Sequence, residues 1–154
     1  MPNPEELLFL RNQLCFPLYA ASRMTTKIYA PHLQELDLTY PQYLVMLVLW
    51  EKDERSVNEI SKELHLETNT LTPLLKRLEA KGIIHRERSQ SDERSVKIRL
   101  AQKGKDLHKP ALEIPGKIWS SFQSSEIDAK ALKDFQQSLF KLVDSLEGQV
   151  NSMK

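Results

Sequence analysis

The sequence predicts a mainly helical fold with a small β-wing (α+β), a winged helix-turn-helix flanked by long N- and C-terminal helices. Three observations predict it. The segment His85 to Leu100, HRERSQSDERSVKIRL, reads as a basic β-hairpin. There, Val96, Ile98 and Leu100 alternate with Lys97 and Arg99, giving one apolar and one cationic face. Two short helical segments, separated by only a few residues, lie just upstream. Apolar stripes at helical spacing run through both ends of the chain.

Taken in order, residues 5 to about 29 are expected to form one long amphipathic helix with Leu7, Leu10, Leu14 and Leu18 along one side. Pro31 opens a connection over residues 31–38. Thr39 caps a helix with Pro41 near its start, where proline is tolerated, running through Leu44, Val45, Leu47 and Val48 to Trp50. The next helix opens at Ser56-Val57-Asn58-Glu59, a capping-box spacing, and continues through Ile60 and Leu64. Its successor runs from about Thr68 to Lys81 and stops at Gly82, a residue suited to the left-handed position past a helix end. A strand starts at Ile83, and Ser89-Gln90-Ser91-Asp92 supplies the turn before the returning strand. Gln102 to about Phe122 reads as helix, interrupted at Pro110 and Pro115. The last helix is expected to begin near Ser124 or Ser125 and to carry Leu132, Phe135, Leu139, Leu142, Leu146 and Val150 on one face.

At 154 residues the chain is read as one domain. Residues of about 39–101 form a DNA-binding lobe, and about 1–38 and 102–154 form dimerisation helices. The winged motif does not need the terminal stripes for its own core, so they are expected to pack against a second copy. A homodimer also sets two recognition helices one DNA turn apart, as reading a palindrome requires. Charge placement points to nucleic acid. Residues 76–109 hold eleven Lys and Arg against five Asp and Glu, a local +6, which leaves −5 for the rest of a chain of net charge +1. A local basic block on a near-neutral protein suits a positioned phosphate-binding surface, whereas a uniform polycation binds indiscriminately. Thr68, Thr70, Lys76 and Arg77 are expected to face the major groove or its phosphates, with Leu71, Leu74, Leu75 and Leu78 facing the core.

Several function classes are excluded. The longest apolar run, Tyr43 to Trp50, has eight residues, well short of the roughly 20 that a membrane helix needs. The N-terminus has no cationic start and no small-residue cleavage site, so no signal peptide is expected and the chain is assigned to the cytoplasm. One cysteine and four scattered histidines offer no disulfide framework and no metal-ligand spacing. No glycine-rich phosphate loop and no paired nucleophile and base occur, so neither a cofactor nor an enzyme is expected.

Winged-helix order, the flanking helices and Thr70 to Gly104, TLTPLLKRLEAKGIIHRERSQSDERSVKIRLAQKG, resemble the MarR family of bacterial regulators. Leu14 to Arg23, LCFPLYAASR, and Leu38 to Glu51, LTYPQYLVMLVLWE, resemble its one-cysteine, organic-hydroperoxide-sensing repressors. That resemblance implies a homodimeric repressor on palindromic double-stranded operator DNA, released when Cys15 is oxidised. It implies that Arg94 at the hairpin tip enters the minor groove, with Asp92 orienting its guanidinium and Arg86 also on the DNA-binding hairpin. It implies too that Tyr29 and Tyr40 reach the cysteine from the partner subunit.

The residues themselves permit this chemistry. Tyr19 lies four residues past Cys15, on the same helical face. Tyrosine hydroxyls donate to a thiolate without adding charge. With one cysteine, a sulfenic acid cannot close an internal disulfide and must condense with a small cellular thiol or oxidise further. Two positions depart from the pattern. Pro17 is expected to remove the helical bond to the Gln13 carbonyl and bend the helix beside Cys15. Asn69 stands where relatives often carry glycine, and its amide suits an adenine edge. Two other readings are a MarR-type regulator induced by a small phenolic or aromatic acid, with Cys15 only structural, and an architectural DNA-binding protein.

Overall fold

A computed structural model describes residues 3–92, 95–124 and 126–154. The middle of the chain follows its local signals closely. Helix α2, Tyr40–Glu51, is started by Thr39, whose hydroxyl accepts from the Gln42 N–H while the Gln42 amide returns a bond to the Thr39 N–H. Helix α3, Val57–Leu64, has the same reciprocal cap between Ser56 and Glu59. Those two bonds satisfy amides that the first helical turn leaves orphaned. They also hold the Glu59 carboxyl below its usual range. His65 then takes a left-handed conformation at φ +51° and ends α3. Helix α4, Thr68–Ala80, follows after a tight turn, and Gly82 takes φ +71° beyond it.

Three antiparallel strands, β1 (Arg55–Ser56), β2 (Ile84–Arg88) and β3 (Val96–Leu100), form a sheet in the order β1-β3-β2. Arg86 faces Ile98, and Ile84 faces Leu100. The alternation on β3 is as the sequence predicts: Ile98 and Leu100 are buried, while Lys97 is exposed. Strand β1 is an addition to the sequence reading. At two residues it is too short for period-two patterning to reveal. Asp53 anchors it, since its carboxylate accepts from the Leu100 N–H at 2.8 Å and from the Glu54 N–H at 2.8 Å.

The core lies inside the central lobe. Tyr43, Val45, Met46 and Leu49 of α2 meet Ile60 of α3, Leu71, Leu75 and Leu78 of α4, and Ile84 and Ile98 of the sheet. After the sheet come α5 (Gln102–Asp106), α6 (His108–Ala111) and α7 (Ile114–Phe122), broken on either side of α6 as the two prolines predict. Pro115 opens α7, where its missing N–H leaves no helical bond unmade. Ala111, Ile114 and Ile118 close the base of the core.

The ends differ from the sequence reading. No single helix spans residues 5 to 29. Two 3-10 turns, Pro4–Leu8 and Leu10–Asn12, precede α1, which runs Cys15–Gln34. The Asn12 and Gln13 side-chain amides donate to the carbonyls of Glu6 and Leu7, competing with an α-helical ladder. Pro17 completes the interruption, because a helix through residues 13–17 would need its N–H. It thus falls in the first turn of α1, where no intrahelical acceptor exists, so the bend expected beside Cys15 has no cause. Pro31 likewise opens no connection; it lies inside α1, which continues to Gln34 with Leu33 anchored in the core.

The last helix, α8, runs Ala129–Ser152 and starts four or five residues later than the start near Ser124 or Ser125 that the sequence suggests. Ser124 instead forms a turn, its hydroxyl accepting from the Glu126 and Ile127 N–H groups, and Asp128 caps the helix through the Ala131 N–H. No residue of α8 is buried. Phe135 is 55% exposed, Phe140 64% and Val150 51%. Lys154, just past α8, pairs with Glu67 at 2.8 Å, and His65 Nδ1 lies 3.1 Å from the Glu147 carboxylate of α8.

Candidate functional site

Helix α4 is amphipathic. Leu71, Leu75 and Leu78 are fully buried and Leu74 half-buried, which turns the opposite face outward. Thr68, Asn69 and Thr70 are exposed on its first turn, and Lys76 and Arg77 further along. The Thr70 hydroxyl donates to Asn69 Oδ1 at 3.4 Å. Lys76 and Arg77 have no ion-pair partner among the described residues. An outward helix with polar N-terminal residues and free cations along its length has the shape and charge to enter a major groove.

The hairpin is less uniformly cationic than its sequence suggests. Arg99 pairs with Glu87 at 2.7 Å, and this bond holds the Glu87 carboxyl below its usual range. Lys97 lies 3.5 Å from Glu54. Arg86 is turned inward: its Nη1 lies 3.5 Å from Glu79 Oε2 of α4. Its Nε is buried without a partner. It therefore braces the wing against α4, and little of its guanidinium faces outward. Arg88 is exposed and has no ion-pair partner among the described residues. Sequence reasoning missed it, because which cations are neutralised depends on cross-strand register. Asp92 is exposed at the hairpin tip, its carbonyl accepting from the Ser95 N–H at 2.9 Å. Arg94 lies outside the described residues.

A second constellation sits where α1 meets α2. The Tyr29 and Tyr40 rings are 4.8 Å apart, and Tyr43 lies 5.8 Å from Tyr29. Burial first, then the neighbouring Tyr40 and Tyr43, pushes the Tyr29 hydroxyl up to about 12. Burial raises Tyr40 and Tyr43 as well. These hydroxyls therefore stay protonated near neutral pH and available as donors. Beside them opens a cavity of about 610 Å³ whose wall includes Thr26, Leu33, Tyr40, Pro41 and Lys81.

Cys15 is the first residue of α1 and is exposed. Helix N-termini present N–H groups without intrahelical partners and the positive end of the helix dipole. Tyr19 lies one turn on, 62% exposed, with the Arg23 guanidinium 5.6 Å over its ring. Tyr29 is on the same helix but fourteen residues away, roughly 21 Å along the axis at 1.5 Å per residue. One chain therefore brings Cys15 to Tyr19 but not to Tyr29 or Tyr40. Among the described residues no group of His, Cys, Asp or Glu would hold a metal ion, and no helix is long and apolar enough to cross a membrane.

Comparison with known proteins fits this geometry. Residues 27–110 match the family described as transcriptional regulator SarA/Rot. The chain is 46% identical over 146 residues to the organic hydroperoxide resistance transcriptional regulator of Bacillus subtilis, covering 95% of this chain and 97% of that one. Among solved structures it resembles reduced AbfR bound to DNA, with a TM-score of 0.79, 36% identity, and 96% of this chain and 99% of that one covered. It also resembles disulfide-formed AbfR, with a TM-score of 0.60, 35% identity and 96% of each chain covered. AbfR is a protein of Staphylococcus epidermidis.

Proposed function

We infer, for a chain that belongs to the SarA/Rot-type, MarR-like family of winged-helix transcriptional regulators, that it is a redox-sensing repressor. In this reading a homodimer binds palindromic operator DNA and leaves it when an organic hydroperoxide oxidises Cys15. The single observation that carries the reading is the exposed thiol at the start of α1, in a chain closely similar to an organic hydroperoxide resistance regulator. The relation to AbfR, seen in reduced, DNA-bound form and in disulfide form, supports DNA binding and cysteine redox chemistry.

Dimerisation supplies what one chain lacks. The exposed residues Leu7, Leu10, Leu14 and Phe16 at one end, and Phe135, Phe140, Leu146 and Val150 on α8, are too extensive an apolar surface for water. A second copy would cover that surface and carry its own Tyr29 and Tyr40 toward Cys15. In the division of labour proposed, residues of about 1–38 and 102–154 join the subunits and about 39–101 bind DNA. Thr68, Asn69 and Thr70 would meet base edges. Lys76, Arg77 and Arg88 would meet phosphates, and Arg94 with Asp92 the minor groove.

The test is a gel shift on the DNA flanking the protein's own gene, with and without an organic hydroperoxide. A retarded complex that dissolves on treatment and returns with a reducing thiol is the expected result. The phosphate assignment has its own check. Lys76→Ala is expected to weaken binding about equally on all sequences and to flatten the salt dependence by about one unit. Altered sequence preference with an unchanged salt slope would instead make Lys76 a base reader.

A further inference from the structure

Lys81 stands where the recognition helix meets the tyrosine corner. It is the residue that closes α4. Its ammonium donates to the Asp37 carbonyl and, at 3.4 Å, to Gln42 Oε1, and it lies 3.2 Å from the Asp37 carboxylate. Asp37 and Gln42 belong to the α1–α2 corner. Asp37 holds a left-handed φ of +53°. Gln42 is 2% exposed, and its Oε1 also accepts the Thr39 N–H within the cap that starts α2. The next residue after Thr39 is Tyr40, stacked at a tilt on Tyr29. Tyr40 and Lys81 also share the wall of the 610 Å³ cavity.

Val45 of α2 and Leu75 and Leu78 of α4 share the aliphatic core. Aliphatic surfaces are non-directional and tolerate sliding, whereas an ammonium with three donors fixes the position of what it holds. Lys81 is 27% exposed, so water competes with these bonds less than at an open surface.

We propose that Lys81 is a positioning residue that ties the end of the recognition helix to the tyrosine corner, so that displacement of Tyr40 on oxidation of Cys15 is carried into α4. This rests on the redox reading above. The path is short and physical: Tyr40 moves the first turn of α2, that turn carries Thr39 and Gln42, and Gln42 with Asp37 holds the lysine. A second lysine extends it, since the Lys103 ammonium donates to the Lys81 carbonyl at 3.0 Å.

The experiment measures operator affinity of the full-length protein, reduced and after treatment with an organic hydroperoxide, for wild type, Lys81→Met and Lys81→Arg. The readout is the ratio of the two affinities, which a merely structural role would leave unmoved. Coupling between two sites typically changes affinity about 5–150-fold; Lys81→Met is expected to bring that factor to within about threefold of one, and Lys81→Arg to retain it. If Lys81→Met lacks a cooperative thermal transition, Asp37→Asn replaces it. Asparagine accepts the left-handed φ and removes the carboxylate, and the ratio should again fall. A Lys81→Met protein with both affinities scaled by the same factor overturns the proposal and leaves the redox reading intact. A wild-type ratio of one sinks the redox reading itself, and this proposal with it.

Discussion

Gly104→Ala should lower the thermal midpoint by about 4–8 °C, the shift expected for a net loss of about 2 kcal/mol in a domain of this size. A Cβ at residue 104 would lie 2.3 Å from the Ile83 carbonyl oxygen and 3.2 Å from Leu100 Cδ2. The carbonyl cannot swing away, because it accepts the Ala101 N–H at 3.0 Å and Ile83 is fully buried. Relief therefore means lifting α5 off the base of the sheet. That movement strains a second bond, since the Trp50 indole N–H donates to the Gly104 carbonyl at 2.9 Å. Overpacking of this kind costs about 3 kcal/mol where backbone must move, and the better helix propensity of alanine returns about 1 kcal/mol. Gly116→Ala is the control. Nothing lies within 4 Å of a Cβ there, so the same substitution in α7 should be neutral or slightly stabilising. Equal melting of the two variants would mean that α5 does not sit against Ile83 as described.

The close approach at Gly104 was not legible in the sequence, where Gln102-Lys103-Gly104-Lys105 reads as an ordinary wet helix start. What was legible is what local chemistry dictates. The caps at Thr39 and Ser56, the stop at Gly82 and the alternation on β3 follow from bonds within a few residues. The N-terminal end misled. Leu7, Leu10 and Leu14 keep helical spacing, yet spacing reports only which residues want a common neighbour, and among the described residues all three stay exposed. Side-chain amides and Pro17 decided the backbone there.

Within the site, the outward face of α4 was readable from its leucines, because helical periodicity separates Thr68, Lys76 and Arg77 from Leu71, Leu75 and Leu78. The roles of the hairpin arginines were not. Arg86 and Arg88 both lie on β2, yet one is braced on Glu79 and the other is free among the described residues. Only three-dimensional packing of strand against helix distinguishes them. Tyr29 and Tyr40 were singled out by resemblance alone, and Tyr43, the third ring of the corner, was not, as the three come together only when two helices pack.

Cys15→Ser is expected to bind operator like the wild type and to ignore organic hydroperoxide entirely. The substitution exchanges one sulfur for oxygen at an exposed first helical residue, so neither packing nor the α1 start should change. The chemistry it removes is complete in itself. The Cys15 thiolate attacks the terminal peroxide oxygen, the O–O bond breaks, and the departing alkoxide takes a proton to become an alcohol, leaving a sulfenic acid. A small cellular thiol then displaces hydroxide, which leaves as water, and a mixed disulfide remains. A serine hydroxyl is not ionised near neutral pH and does neither step. Tyr29→Phe separates the thiol from its environment. It removes one donor and little volume, so DNA binding should persist while sensitivity falls. The Tyr29 hydroxyl, pushed up to about 12, remains a donor throughout the working range, so its contribution should not vary between about pH 6 and 9. Mass spectrometry of wild type after peroxide and a small thiol should find the adduct on Cys15. If Cys15→Ser still leaves the operator on treatment, some other group senses the oxidant and the switch proposed at the start of α1 does not exist.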